Sequence, residues 1–404
     1  MYWEESDDVH NILVSEAMRR NRFLEILRFL HFCDNADLDV QDKCSKIRPL
    51  LSMIQERFQR YAFETETVNV DESMIEYFGK YGNRLKQRIP SKPIRSGYKV
   101  WSLNMKDGYL HSFDVYQGKG SQTEFQDEFG LGPGVVLGLI KNIISKHYQV
   151  YIDNYFTSVK LLTHLAEMEI GCTGTFNKKM LSNCPLPPDR EMLDQGRGSH
   201  ASFVHDKYIV QLTKWFDNKC VVIGSNFMRA TPLGECQRWS SQKKEFIKVP
   251  RPQSIEAYNE SMGGTDAMDQ SINCYKPTIR NRKWYFPIFV FLMMSSAYNG
   301  WKLARRFGYS GSFLNFIRYI VKSYLVSLKT KRKRTGKTNA LYGTSKIVKR
   351  VPESLRYDGS GHYIGTGTSR TRCALCGRHT TKYCVKCEVK VHTECFAPFH
   401  GHVE

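Results

Sequence analysis

The chain has 404 residues, 41% of them hydrophobic and 13% aromatic, which is apolar mass enough for two or three folded domains and too much for a chain that stays disordered. Its formal net charge is +19, and the stretch from Val321 to Arg372 alone holds 13 Lys or Arg against 2 Asp or Glu, so a nucleic-acid partner is expected and a small-molecule substrate is not. No apolar run reaches the roughly 18 residues of a membrane span, and MYWEESDDVHN has no apolar segment behind a basic one, so neither membrane nor secretory signal is expected.

Residues 1–63 read as helical: Phe23, Ile26, Leu27 and Leu30 recur at helical spacing with arginines on the other side, a basic amphipathic pattern suited to DNA binding or dimerisation. From residue 64 the pattern becomes strand-like, first TVNVDESMI, then two strands in GYKVWSLNMKDGYLHSFDVYQGKG joined at Lys106-Asp107-Gly108. A helix over Val135–Lys146, a short buried strand in QVYIDNYF, a helix over Val159–Met168 and a strand in IGCTGTF complete residues 64–176. Residues 177–250, with Gly, Ser and Pro followed by KYIVQLTKWF and KCVVIGSNF, read as a β-rich insertion. Helices return over 251–328. Residues 329–372 lack periodicity and read as a basic flexible linker, and 373–404 stand apart as a Cys/His module. Three antiparallel strands, then helix, strand, helix and strand, is the order of an RNase H-like α/β core, here interrupted by the insertion and flanked by helices.

Four aspartates stand out by position. Asp71 ends TVNV, Asp153 ends QVYI, and Asp266 and Asp269 open the helical stretch after the insertion. In an RNase H-like sheet the strands bearing Asp71 and Asp153 are neighbours, and a helix behind them supplies Asp266 or Asp269, which share one helical face. Glu72 points to the opposite face of its strand from Asp71. Such a cluster is unfavourable without cations, and hard carboxylate oxygens suit Mg²⁺ or Mn²⁺, the ions that serve phosphodiester chemistry without a covalent protein intermediate.

Around these residues the chain resembles the piggyBac transposases. The segments that carry the resemblance are VDESMIEYFGK with IPSKPIRSGYK, IDNYFTSVKLL with CTGTFNKK, GGTDAMDQ, and NRKWYFP leading into SSAYNGWK, in order from Asp71 to Trp301. The family's catalytic aspartates fall on Asp71, Asp153 and Asp266, with Asp269 at its nearby fourth acidic position. The resemblance implies a DNA transposase that nicks transposon ends, excises through hairpin intermediates and inserts at TTAA sites as a homodimer. It also implies phosphate contacts at Lys92, Arg95, Arg280, Arg282 and Lys283. It begins inside the N-terminal helical region that the family carries, which leaves a domesticated DNA-binding or chromatin-associated factor with an idle acidic cluster as the second reading.

The final module reads Cys373, Cys376, Cys384, Cys387, His392, Cys395, His400 and His402. Paired C-x-x-C turns aim thiolates at one tetrahedral ion, and four pairs suit two structural Zn²⁺ in a cross-brace of RING or PHD type. Alternation then gives Cys373 and Cys376 to one zinc with His392 and Cys395, and Cys384 and Cys387 to the other with His400 and His402, with His379 as an outside candidate. The module resembles the cysteine-rich domain that ends piggyBac transposases, which implies recognition of the terminal repeats. Upstream, Lys329-Thr330-Lys331-Arg332-Lys333-Arg334 is a basic cluster of nuclear-localisation and phosphate-binding type.

Overall fold

The computed structural model describes residues 2–63, 66–79, 85–90, 92–118, 124–141, 143, 147–181, 184–205, 209–279, 281–330 and 351–401. The chain divides into two compact units, Met1–Lys331 and Arg332–Glu404. No helix among the described residues is long and apolar enough to cross a membrane.

The first unit starts with helices α1 (Ile12–Ala17), α2 (Arg20–Phe29) and α3 (Arg48–Arg60). Asn11 caps α1 by accepting from the Val14 N–H at 3.1 Å, and Pro49 stands in the first turn of α3, where its missing donor costs nothing. Strands β1 (Thr67–Glu76), β2 (Lys86–Arg88), β3 (Ser96–Met105) and β4 (Leu110–Val115) follow. The β3–β4 turn is closed by Gly108 N–H donating to Met105 O, with Gly108 at φ 95°, a conformation glycine adopts without strain. After α4 (Gln126–Phe129) comes α5 (Leu131–Ile140), which begins four residues earlier than the apolar pattern suggests, because Pro133 and two glycines are tolerated in its opening turn. Then come β5 (Gln149–Ile152), α6 (Val159–Glu167) and β6 (Gly171–Thr175).

In the main sheet β1 runs antiparallel to β3 and parallel to β5, which is parallel to β6, and β4 lies antiparallel on β3. The chain continues through α7 (Asp189–Asp194), β7 (His200–His205), β8 (Val210–Phe216), β9 (Cys220–Ser225) and the hairpin β10 (Leu233–Ser240) with β11 (Glu245–Pro252). Residues 177–250 therefore do not all form a sheet of their own. β9 pairs with the open edge of β6, and β8 and β7 follow it, giving the order β2-β3-β1-β5-β6-β9-β8-β7. The physical reason is that an open edge is a row of unpaired N–H and C=O groups, and the nearest returning strand satisfies it.

Helices α8 (Gln253–Ser261), α9 (Gly264–Tyr275), α10 (Phe286–Arg306) and α11 (Phe313–Thr330) close the unit. Apolar side chains of α5 and α6 pack on one face of the sheet with Val68, Val70, Trp101 and Leu103, and α3, α9 and α10 pack on the other with Ile75, Tyr98 and Val100. Covered on both faces, the parallel strand QVYI is apolar without alternation. Strand β1 departs from this: Asn69, Asp71 and Ser73, all facing α9, are polar and buried.

The second unit holds α12 (Glu353–Arg356), β12 (Ile364–Arg372), β13 (His379–Cys384), β14 (Val389–Lys390) and α13 (Thr393–His400), with the strands paired in that order. The linker expected over 329–372 accordingly does not extend to Arg372, since residues 351–372 are part of the module. Lys331, Arg332, Lys333 and Arg334 lie outside the described residues, as do Arg280 and His402.

Candidate functional site

The register of the sheet brings the first two aspartates together. Val70 and Ile152 are parallel partners, so Asp71 and Asp153 are the next residues on adjacent strands. Each ties one carboxylate oxygen to backbone: Asp71 Oδ1 accepts from Glu72 N–H at 2.7 Å, and Asp153 Oδ1 accepts from Tyr155 N–H at 2.8 Å. The turn after Asp153 is held further by Thr157 Oγ1 donating to the Asp153 carbonyl at 2.7 Å.

Helix α9 brings the other two, and a buried polar network sets its position. Asn69 Oδ1 accepts from Thr265 N–H at 3.1 Å and from Thr265 Oγ1 at 3.0 Å, while Asn69 Nδ2 donates to Asn104 O at 3.2 Å. Asn104 Nδ2 donates to Gly108 O at 2.9 Å. Gly264 is required here: a Cβ would come within 2.5 Å of Asn69 Nδ2 and of the Met105 carbonyl. The GGTD start of α9 thus lies flush against β1 and β3, with exposed Asp266 in the first turn and half-buried Asp269 one turn later.

The electrostatics are those of crowded carboxylates. Burial pushes Asp71 up to about 7, and the charge of Asp153 adds to the rise. Burial pushes Asp269 up to about 7 as well; a Ser73 hydrogen bond opposes this, and Asp266 and Asp71 reinforce it. Asp153 is raised, again chiefly by burial. Protons or cations relieve such a cluster, and its oxygen donors are those that hard divalent ions take. The four do not close into one shell as they stand: among the described residues, the groups whose ligand atoms all lie within 4.8 Å of one another are two Cys/His sets.

Glu72, on the opposite face of β1, is bound by two lysines, Lys92 at 3.3 Å and Lys99 at 3.3 Å. Burial alone would lower Lys92, yet Asp71 and Glu72 raise it, so its ammonium is held among the carboxylates. Lys283, expected to contact phosphate, instead caps α2: its Nζ donates to the carbonyls of Leu27, Arg28 and Leu30. Arg95 and Arg282 are exposed. A cleft of about 440 Å³ between α3, β4 and α5 contains none of the four aspartates.

In the second unit Cys373, Cys376, His392 and Cys395 form one set, and Cys384, Cys387, His400 and His362 form the other. Among the described residues His362 completes the second set and His379 belongs to neither, while His402, which alternation assigns to the second set, lies outside the described residues. The sequence signal of His362 was weak: a single histidine in a Gly/Ser/Thr stretch, eleven residues before the first cysteine. The geometry fits a tetrahedral ion. Zn–S and Zn–N bonds imply S···N edges of about 3.6 Å, and Cys376 Sγ to His392 Nδ1 is 3.4 Å, His362 Nδ1 to Cys384 Sγ 3.4 Å, and His362 Nδ1 to Cys387 Sγ 3.5 Å. The His362 Nε2 contacts Asp358 Oδ1 at 2.9 Å, an outer carboxylate that orients the ring. His400 Nδ1 lies 2.9 Å from Arg356 O, and its Nε2 is buried with no hydrogen-bond partner, as expected of an atom that faces a metal.

Comparison with known proteins agrees with this architecture. Residues 1–301 match a family described as Transposase IS4. The human PiggyBac transposable element-derived protein 3 is 37% identical over 99% of this chain, and human PiggyBac transposable element-derived protein 2 is 34% identical over 99%. The chain spans 66% of the length of each. Among solved structures, the piggyBac transposase in a synaptic complex with hairpin DNA superposes with a TM-score of 0.66 at 19% identity, covering 96% of this chain and 82% of that one, a likeness of fold.

Proposed function

Because the chain belongs to the piggyBac transposase family, we propose that it is a DNA-binding phosphodiester-processing enzyme of that family, with an RNase H-like core that cuts and joins strands at TTAA-flanked ends. The observation that supports this reading is that Asp71 and Asp153 follow paired residues on adjacent parallel strands, while Asp266 stands in the first turn of the helix that Asn69 and Asn104 hold through Thr265.

When bound there, Mg²⁺ or Mn²⁺ supplies the Lewis acidity that activates a water or 3′-hydroxyl and stabilises the leaving oxygen. Asp71, Asp153 and Asp266 would hold it, with half-buried Asp269 one turn behind Asp266. Lys92, fixed by Glu72, sets a positive charge beside the phosphate's path. Arg95 and Arg282 are exposed for backbone contacts. The two Cys/His sets hold structural Zn²⁺, which substitutes for the core that so small a module cannot bury. The module binds terminal-repeat DNA, the chain acts as a homodimer, and the Lys331–Arg334 cluster directs it to the nucleus.

The test uses the purified chain, DNA carrying TTAA-flanked piggyBac-like terminal repeats, and Mg²⁺, beside an Asp153→Asn control. Metal-dependent nicking or hairpin formation lost in the control supports the proposal. Binding without cleavage by either protein, under conditions where an active family member cuts, replaces it with an idle DNA-binding factor.

A further inference from the structure

Asp153 is followed by an aromatic assembly that nothing above uses. Tyr155 donates its N–H to Asp153 Oδ1, so the ring and the carboxylate are held in one tight turn. The ring stacks on Trp101, with centroids 5.5 Å apart and planes 23° from parallel, and Phe156 stands edge-on to Tyr155 at 5.2 Å. Lys99 Nζ lies 3.9 Å from the Trp101 ring centroid and 4.7 Å from that of Tyr155, and is itself bound by Glu72. Trp101 and Phe156 are fully buried, whereas Tyr155 is 43% exposed. The result is an aromatic ring immobilised from behind, open in front, and placed two residues from a carboxylate read as a metal holder.

Covering Trp101 from water would need only an apolar side chain. A rigid, exposed ring tied through its own N–H to Asp153 meets a further need. Asp71 is only 9% exposed, so a phosphodiester reaching it must leave regular duplex geometry, and a base beside that phosphate loses a stacking neighbour. Aromatic side chains replace such stacking without regard to base identity.

We propose that Tyr155, backed by Trp101 and Lys99, forms a nucleobase-stacking subsite that holds the base next to the scissile phosphate. The proposal rests on the DNA-processing reading, and the experiment separates the two. The full chain is bound, with Ca²⁺ in place of Mg²⁺ to suppress turnover, to TTAA-flanked duplex carrying 2-aminopurine at successive positions around the cleavage phosphate. Occupancy is matched by anisotropy. Tyr155→Leu keeps apolar cover over Trp101 but offers no π-face; Tyr155→Met serves the same purpose should the leucine variant melt early.

At one position next to the phosphate, emission from the wild-type complex is quenched, Tyr155→Phe retains the quench, and Tyr155→Leu or Tyr155→Met brightens it several-fold. Single-turnover nicking in Mg²⁺ then falls about 10-fold in the aliphatic variants, in the range that one lost base stack allows. Equal emission from all variants at every position, with DNA bound and cut, overturns the subsite while leaving the enzyme reading intact. Absence of DNA binding by the wild-type chain removes both.

Discussion

Replacing Asn69 by alanine tests how the acidic cluster is assembled. Asn69 is fully buried on the central strand and joins β1 to both β3 and the first turn of α9. Alanine removes the acceptor for the Thr265 N–H and the donor to the Asn104 carbonyl, and leaves Thr265 Oγ1 with Asn104 Oδ1 alone, 2.9 Å away. A stranded buried donor costs about 1–3 kcal/mol, and each lost neutral bond about 1 kcal/mol, part of which relaxation recovers. The expected destabilisation is about 2–4 kcal/mol, read as a lower urea midpoint at unchanged slope. Asp266 directly follows Thr265, so metal-dependent nicking should fall more than the folded fraction does. A loss below about 0.5 kcal/mol, with nicking intact, would refute the claim that this network positions α9.

Substituting His362 by alanine should lower bound zinc from two ions per chain to about one, measured by elemental analysis, whereas His379→Ala should leave two; two ions in both variants would exclude His362 as a ligand. Burial pushes His111 down to about 4 from the ordinary 6.5, so the neutral ring is the folded form. Its contribution is therefore complete above pH 6.5 and is lost as pH falls toward 4, by about 3 kcal/mol in all. His111→Gln should flatten that part of the stability–pH curve, and an unchanged slope would contradict the burial argument.

Asp153 was legible by position because it follows an apolar strand, whereas Asp71, expected at a strand end, lies within β1, which pairs with β5 only as far as Val70 but with β3 as far as Glu76. The cysteine pairs were legible because their two-residue spacing is imposed by a tetrahedral ion. What was not legible depends on contacts remote in the chain. Lys283 reads as a free cation, and only the fold brings the end of α2, some 250 residues earlier, to its ammonium. Strand β12, IGTGTSRTR, has the composition of a linker; it is strand because β13 and the Cys/His sets hold it there. Asn69 and Ser73 look like solvent-facing alternation on a half-covered strand, yet they face α9, and their polarity is satisfied across a helix–sheet seam. The three strands that extend the sheet beyond β6 were visible as strands, but not their partner, since an open edge accepts any strand of suitable register.

The central claim is that these carboxylates hold the metal that cuts DNA, and the most direct measurement is a metal-preference switch at Asp71. Thiolate is a softer ligand than carboxylate and binds Mg²⁺ poorly but Mn²⁺ better. Asp71→Cys should be inactive in nicking TTAA-flanked repeat DNA with Mg²⁺ and recover a measurable part of the wild-type rate with Mn²⁺. Equal nicking by variant and wild type in Mg²⁺, or wild-type nicking that persists in excess chelator, would contradict the account.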